Sequence, residues 1–138
     1  MYLDRVTILV KKAALEAEKT QLPILQMYDL TVAQYKILKY LFDASKDSVR
    51  IIDLETVFSI THPAAIDILK VLEKKGYTTR IVNPDDARSK IVSLTEKAYA
   101  EETLLRGLGD EMEDAVTNRL SEKEKEQLIQ LLKKLVGI

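Results

Sequence analysis

The first third of the chain carries two runs of apolar residues at helical spacing. In residues 2–19 apolar side chains recur every three or four positions, which predicts an amphipathic helix that ends before Pro23. Thr31 stands three residues before Gln34, a spacing typical of a capping box at the start of a helix. The apolar positions that follow predict a second helix, which ends near Asp43.

The middle of the chain predicts one short strand and two short helices. Residues 49–52 favour extended backbone because they are rich in β-branched side chains, and residues 53–59 favour a short helix. Thr61 is the expected N-cap of the next helix. Pro63 fits the first turn of that helix, where its missing N–H leaves no hydrogen bond unmade. We expect this helix to end at Gly76, since glycine is favoured just beyond a helix C-terminus.

After that glycine the apolar pattern changes from helical spacing to alternation. Residues 77–82 and residues 90–94 are both β-prone. The segment between them, residues 83–89 (NPDDARS), is rich in turn-forming side chains. The pattern therefore predicts an antiparallel hairpin.

Two further helices are predicted in the C-terminal third. Thr95 is the expected cap of the first, which runs to about Asn118. Ser121 and Glu124 form a second capping box. The helix that it opens carries four leucines at the i, i+3, i+4 and i+7 positions: Leu128, Leu131, Leu132 and Leu135.

The order of these elements predicts a mainly α (α+β) fold. Two short helices followed at once by a hairpin are typical of a winged helix-turn-helix, although other small α+β modules share parts of this order. In that arrangement the chain is one intertwined unit. Residues 1–30 form an N-terminal helix and connector, residues 31–95 the winged region, and residues 96–138 the long C-terminal helices.

Composition excludes several classes of protein. The 138 residues include no cysteine, which excludes disulfides and thiolate metal sites and fits a cytoplasmic protein. The single His62 argues against any site that needs two imidazoles. No nucleophile elbow, phosphate-binding loop or metal-ligand spacing is present, so we expect no catalytic residue, cofactor or bound metal. No apolar run is long enough to span a membrane, and the charged residues 1–20 do not resemble a signal peptide.

Charge is distributed unevenly along the chain. The net charge is −1, which by itself does not suggest a nucleic-acid-binding protein. Residues 31–95, however, hold ten basic and eight acidic side chains, whereas residues 96–138 hold seven basic and ten acidic ones. The winged region is therefore weakly positive and the C-terminal helices are negative, which is the polarity that DNA binding requires.

Three blocks of sequence resemble the MarR family of bacterial transcription regulators. They are residues 30–38 (LTVAQYKIL), residues 72–77 (LEKKGY) and residues 83–97 (NPDDARSKIVSLTEK). The last block is the most specific, because it combines an Asp-x-Arg in the wing with an alternating strand and Leu-Thr-Glu. The resemblance implies a homodimer, joined through its N- and C-terminal helices, that binds double-stranded DNA at a palindromic operator. It also implies that a signal such as a small aromatic effector changes the spacing of the two winged regions.

The resemblance implies a role for specific residues of the wing and of the second short helix. Arg88 is expected in the minor groove, with Asp86 bracing the wing beside it, and a guanidinium suits a narrow, strongly negative groove. Asp67 stands where the family usually has an arginine. The expected DNA-binding residues are Thr61, His62, Ala64, Ala65, Lys70, Lys74, Arg88 and Lys90.

The terminal helices carry apolar stripes that suit self-association. Eight residues are expected at the dimer interface: Leu3, Val6, Leu9, Val10, Leu128, Leu131, Leu132 and Leu135. The alternative is that both stripes pack on the winged region of the same chain. Three tyrosines are candidate effector contacts, namely Tyr28, Tyr35 and Tyr99, although buried tyrosines more often serve the core.

The sequence also permits a second hypothesis about function. A winged-helix module that binds another protein, or an anti-regulator with weak or no specific DNA binding, would also explain Asp67, the two alanines Ala64 and Ala65 and the slight acidity of the chain.

Overall fold

Seven helices and one antiparallel hairpin build the chain, one helix more than the sequence predicts. The structure is a computed structural model that describes residues 1–138. A short 3-10 turn at Tyr2–Asp4 precedes the first helix. The elements are α1 (Val6–Gln26), α2 (Val32–Asp43), α3 (Ile51–Phe58), α4 (His62–Lys74), β1 (Thr78–Asn83), β2 (Asp86–Leu94), α5 (Glu96–Ala100), α6 (Glu102–Thr117) and α7 (Glu122–Val136).

One hydrophobic core joins these elements. Each helix from α1 to α4 contributes a leucine with no exposed surface, for example Leu25 from α1, Leu38 from α2 and Leu54 from α3. Helix α4 contributes Leu69 and Leu72. Full burial of each such side chain stabilises the fold by about 1.5–3 kcal/mol. The buried leucines therefore hold the helices of the winged region together, and the outer faces of these helices remain exposed.

The predicted helix caps are confirmed where the sequence placed them. The Thr31 hydroxyl accepts a hydrogen bond from the Gln34 backbone N–H at 3.1 Å, and the Gln34 side-chain oxygen accepts one from the Thr31 backbone N–H at 3.2 Å. Ser121 and Glu124 form the same reciprocal pair at the start of α7. Gly76, just beyond α4, has a φ of 86°, the left-handed conformation that glycine adopts without strain.

The predicted end of the first helix is wrong. Helix α1 continues through Pro23 to Gln26, although proline cannot donate the helical hydrogen bond to the residue four positions earlier. The reason lies in the last turn, where Leu25 is completely buried and Ile24 packs against the same core. Burial of these side chains offsets the hydrogen bond that Pro23 removes.

The predicted single helix after Thr95 is two helices. Helices α5 and α6 meet at Glu101, whose φ of −99° and ψ of 6° depart from helical geometry. The Glu101 N–H is shared between the Lys97 and Ala98 carbonyls, both at 3.1 Å. No glycine or proline marks this break, so the pattern of apolar residues could not reveal it.

The strands also differ from their predicted bounds. Strand β2 starts at Asp86 rather than at Lys90, so the hairpin turns within two residues, Pro84 and Asp85. The register is regular from Thr78 opposite Leu94 to Val82 opposite Lys90, and then shifts so that Asn83 faces Asp86. Residues 87–89 consequently bulge from the ladder at the tip of the wing.

The predicted strand at residues 49–52 is reduced to one bridge. Arg50 pairs with Ile91, and the Val92 N–H donates to the Val49 carbonyl at 2.8 Å. The stretch cannot continue as a strand because helix α3 begins at Ile51. The Asp53 carboxylate accepts the Arg50 N–H at 2.8 Å and so caps that helix.

The apolar stripes of the terminal helices are exposed, so they do not pack on the winged region of their own chain. Helix α7 buries no residue, and α1 buries only Leu25. The exposed fractions of the stripe residues range from 40% to 65%: Leu3, Val6, Leu9, Val10, Leu128, Leu131, Leu132 and Leu135. The alternative of packing within one chain is therefore wrong.

Two glycines in α6 differ in what surrounds them. The Tyr35 hydroxyl donates to the Leu105 carbonyl at 2.9 Å and lies directly over Gly109. A Cβ built on Gly109 would overlap this hydroxyl, whereas a Cβ on Gly107 meets nothing within 4 Å. Only Gly109 is needed for the packing of α2 against α6.

We predict that Gly109→Ala lowers the free energy of unfolding by about 1–3 kcal/mol, since the added methyl displaces Tyr35. The matched change Gly107→Ala should raise it by about 0.5–1 kcal/mol through helix propensity. Urea unfolding measures both. Adding Tyr35→Phe should restore part of the loss in Gly109→Ala, because the ring carbon lies 3.6 Å from the added Cβ. Equal stabilisation by both alanines would contradict the packing assignment.

A second prediction concerns the stability of the protein at low pH. The Arg106 guanidinium donates to Asp43 at 2.7 Å and lowers the pKa of that carboxyl. A carboxyl with a lower pKa in the folded state stabilises the protein above its unfolded pKa, and that contribution is lost as the pH falls through the folded value. Stability should therefore decline below about pH 4, and by less in Asp43→Asn. Identical acid profiles for the two proteins, from urea unfolding at pH 7 and pH 3, would refute this role.

Candidate nucleic-acid interface

The turn between α3 and α4 fixes the direction in which α4 leaves. Helix α3 ends at Ser59, which adopts a left-handed φ of 52°. Thr61 then caps α4 by accepting the Ala64 N–H at 3.3 Å, and Pro63 occupies the first turn. The cap and the proline that the sequence predicts are both confirmed, so the start of α4 is rigidly defined.

Helix α4 has one buried and one exposed face. Ala65, Leu69 and Leu72 are completely buried and face the core. The opposite face is exposed and carries Pro63, Asp67, Lys70 and Lys74. This corrects the expectation for Ala65, whose side chain lies inside the core because it follows the same helical stripe as Leu69 and Leu72.

The other residues predicted on α4 lie at or near the surface. Ala64 is half-buried, and Thr61 is exposed and engaged as the cap. His62 has a side chain that is 62% exposed, and its Nδ1 lies 3.0 Å from the Glu55 carboxylate. Lys70 and Lys74 are exposed. Four of the predicted residues, Thr61, His62, Lys70 and Lys74, are thus exposed, whereas Ala64 is half-buried and Ala65 lies inside the core.

The tip of the wing is held by Asp86. Its carboxylate accepts the Arg88 backbone N–H at 3.0 Å, and the Arg88 Nε lies 3.4 Å from the same oxygen. Asn83 similarly accepts the Asp85 N–H at 3.0 Å. The Arg88 side chain itself is 94% exposed. Asp86 therefore braces the backbone of the bulged tip and leaves the two terminal nitrogens of the Arg88 guanidinium free to reach a ligand.

A groove of about 590 Å³ separates the start of α4 from the wing. Arg88 and Lys90 line it from the wing, and His62 lines it from α4. Two further cations, Arg50 and Arg80, also line it and were not predicted as site residues. The remaining lining residues are Ile51, Ile52, Glu55, Ile66 and Ser89. Arg50 precedes α3 and Arg80 lies within β1. Neither belongs to a short sequence motif that would identify it as a site residue. Arg50 forms a bridge with Ile91 of β2, the strand that pairs with β1, and Arg50 and Arg80 therefore lie in the same groove.

These cations differ in how strongly their charge is neutralised. Arg50 pairs with Asp53 at 3.0 Å, and this contact raises the pKa of the guanidinium while lowering that of the carboxyl. Arg80 pairs with Glu73 at 2.6 Å. Lys90 forms no ion pair, and Arg88 has only the long contact to Asp86. The charge available to an anionic ligand is therefore concentrated on the wing.

The three candidate effector tyrosines do not lie together. Tyr35 is buried, which raises the pKa of its hydroxyl, and it lines a cavity of about 320 Å³ between α1, α2 and α6. Tyr28 and Tyr99 are partly exposed and do not line that cavity. Tyr99 packs edge-on against Phe42, with 6.3 Å between the ring centres.

Two other kinds of site have no counterpart in the structure. No group of three or more His, Cys, Asp or Glu side chains is placed to hold a metal ion. None of the helices combines the length and the apolar character that a membrane crossing requires.

Known proteins are similar to this chain in sequence and in architecture. The profile of the MarR family matches residues 30–90. The multiple antibiotic resistance protein MarR of Escherichia coli K12 is 31% identical over 109 residues, which cover 78% of this chain and 74% of that protein. The transcriptional regulator HosA of E. coli O111:H- is 26% identical over 112 residues, covering 81% and 82% of the two chains.

Solved structures agree with this assignment. A mutant E. coli MarR in complex with operator DNA superimposes with a TM-score of 0.83 and 27% identity, over 94% of this chain and 92% of that one. A DNA complex of MepR from Staphylococcus aureus gives a TM-score of 0.83 and 27% identity, over 96% and 97%. The predicted winged helix-turn-helix is thus confirmed. The chain belongs to the MarR family of DNA-binding transcriptional regulators.

Proposed function

We propose that this protein binds a palindromic operator as a homodimer and represses the genes beside it. The observation that carries the proposal is the arrangement of α4 and the wing. One groove separates the start of α4 from the wing, and four cations line it beside Glu55 and His62: Arg50, Arg80, Arg88 and Lys90. The outer face of α4 and the Arg88 side chain, which is 94% exposed, lie next to this groove. An exposed helix beside a basic hairpin suits a duplex, in which the helix enters the major groove and the hairpin crosses the backbone.

The wing supports the proposal through the chemistry of arginine. A guanidinium on a narrow hairpin tip fits the minor groove, where the negative potential is strongest when the groove is narrow. Lys90, four residues after the start of β2, adds a second cation that a phosphate can contact. Asp86 limits the movement of the tip, so less conformational freedom is lost when DNA binds.

The exposed stripes on α1 and α7 support the homodimer. Both helices leave leucines and valines exposed along one side, which is unfavourable in water unless a second surface covers them. A second copy of the chain offers the same stripes, and twofold symmetry is the commonest arrangement for such a contact. Dimerisation would also double the number of phosphates contacted, and affinity rises with that number.

The cavity beside Tyr35 supports binding of a small aromatic effector. It lies between α2 of the winged region and the helices α1 and α6, so a ligand there would contact both parts. Charged side chains of both signs line it, the basic Lys36, Lys39 and Arg106 and the acidic Asp110 and Glu113, together with the apolar Val32 and Met112. A small aromatic molecule with polar substituents fits that mixed lining. Roles for Tyr28 and Tyr99 in effector binding remain predictions.

Asp67 favours a second candidate function. An unpaired carboxylate on the outer face of α4 repels phosphates and would suit a module that binds another protein instead of DNA. Retention of mixed genomic fragments distinguishes the two. A DNA regulator should enrich palindromic fragments and lose them steeply as salt rises, whereas a protein-binding module should enrich none.

We predict that Arg88→Ala weakens operator binding at least about tenfold and lowers the salt dependence by about one phosphate contact per subunit. Its melting temperature should not change, because the side chain is 94% exposed. Fluorescence anisotropy with a selected operator fragment measures the affinity at several salt concentrations.

The control is Arg119→Ala, which removes an exposed arginine between α6 and α7, outside the groove. It should leave the affinity within about twofold of that of the original protein. An Arg88→Ala protein with intact stability and undiminished affinity would show that the wing does not contact DNA.

We also predict that Leu131→Lys combined with Leu132→Lys lowers the mass in solution from that of a dimer to the 15.7 kDa of one chain. Buried lysines at a dimer interface carry a large desolvation cost. Light scattering at micromolar concentration measures the mass. Val57→Lys, which charges an exposed residue of α3, is the control and should leave the dimer intact. A wild-type monomer under these conditions would rule out the interface.

A further inference from the structure

Asp67 lies at the centre of the exposed face of α4. Successive residues of an α-helix are rotated by about 100°, so the buried Ala65, Leu69 and Leu72 define one direction. Counted in this way, Asp67 points within about 20° of the opposite direction. His62 lies to one side, where it lines the groove beside the wing. Of all side chains on α4, that of Asp67 is therefore among the first to meet a surface that faces the helix.

The carboxylate of Asp67 is not committed to any partner within the chain. It takes part in none of the ion pairs and in none of the side-chain hydrogen bonds. Lys70 and Lys74 lie on the same exposed face, one and two turns further along. Their positive charge offsets the repulsion between the carboxylate and phosphates, so Asp67 can approach a duplex without excluding it.

An ionised carboxylate can only accept hydrogen bonds, and this restricts which base it can recognise. In the major groove, cytosine presents its N4 amino group as a donor, whereas guanine presents the N7 and O6 acceptors. Adenine places its N7 acceptor beside its N6 donor, so the second carboxylate oxygen would be repelled. Thymine presents an acceptor and a methyl group. Cytosine is the base whose exposed edge suits Asp67.

We propose that Asp67 is the specificity-determining residue of α4, and that it accepts a hydrogen bond from the N4 amino group of one cytosine in each operator half-site. This inference rests on the proposed function, because it requires α4 to enter the major groove. It assigns a reading role to the residue that would otherwise weaken DNA binding by repulsion.

Selection from a random duplex library tests the inference, with four proteins carried through the same rounds. They are the original protein, Asp67→Asn, Asp67→Ala and the control Asp85→Asn, which removes an exposed negative charge at the turn of the wing. All three substitutions are at exposed positions, and melting temperatures verify that each protein folds. Affinities for the selected operator and for single-base variants follow by anisotropy.

The original protein should enrich a palindrome with cytosine at one position of each half-site. Asp67→Asn should change that preference to adenine, because an asparagine amide pairs with both N6 and N7. Asp67→Ala should lose the preference at that position alone. Replacing the C·G pair by T·A should lower the affinity of the original protein about tenfold and that of Asp67→Ala by less than about twofold. Asp85→Asn should keep the cytosine.

Failure of this inference and failure of the proposed function give different results. If the original protein enriches a palindrome and Asp67→Ala enriches the same one at every position, Asp67 does not read a base, although the protein still binds an operator. If the original protein enriches no sequence, the proposed function itself is overturned.

Discussion

The rotation of α4 about its own axis decides which side chains a duplex would meet, and burial of one apolar stripe fixes that rotation. Ala65, Leu69 and Leu72 have no exposed surface, and each leucine stabilises this orientation by about 1.5–3 kcal/mol. Rotating α4 about its axis by the angle between successive residues would expose a leucine. It would also bury the charge of Lys70 or Asp67 without a partner, which costs further free energy. The chemistry of the outer face is therefore a direct consequence of the packing of the inner one.

Ion pairs within the chain determine how much charge remains for DNA. Arg50, Arg80 and Arg106 are each paired with carboxylates, and Lys75 donates to backbone and to Gln34. Their role is largely to tie neighbouring elements together. On the DNA-facing elements, Lys70 and Lys74 of α4 and Lys90 of the wing form no ion pair, and Arg88 has only its long contact to Asp86. A protein with a net charge of −1 can in this way present a positive surface where the fold places it.

The sequence predicts the fold well where the signal is local. Helix caps such as Thr31, Thr61 and Ser121, and the turn at Gly76, depend on hydrogen bonds within a few residues, so their side chains reveal them. The passage of α1 through Pro23 could not be predicted, because the compensating burial of Leu25 involves distant parts of the chain.

The candidate site shows the same division. Arg88 and Asp86 stand in a recognisable motif, and the structure places them within hydrogen-bonding distance as expected. Arg50 and Arg80 join the groove only through the pairing of strands and the position of α3, which no short motif encodes. Ala65 was misplaced although it stands four residues before Leu69 and seven before Leu72, a spacing that puts it on the buried stripe of α4.

The anchoring of α1 at Leu25 has a mechanical consequence. The helix is continuous from Val6 to Gln26, its far end is exposed, and its last turn is embedded in the winged region. The distance from Leu9 to Leu25 along the axis is about 24 Å. If a second copy of the chain binds the N-terminal part of α1, a tilt of about 10° there displaces the turn at Leu25 by about 4 Å. This displacement is comparable to the rise of one base pair. Small adjustments between two subunits would thus be transmitted as rigid-body displacements large enough to shift the alignment of each winged region with its half of the duplex.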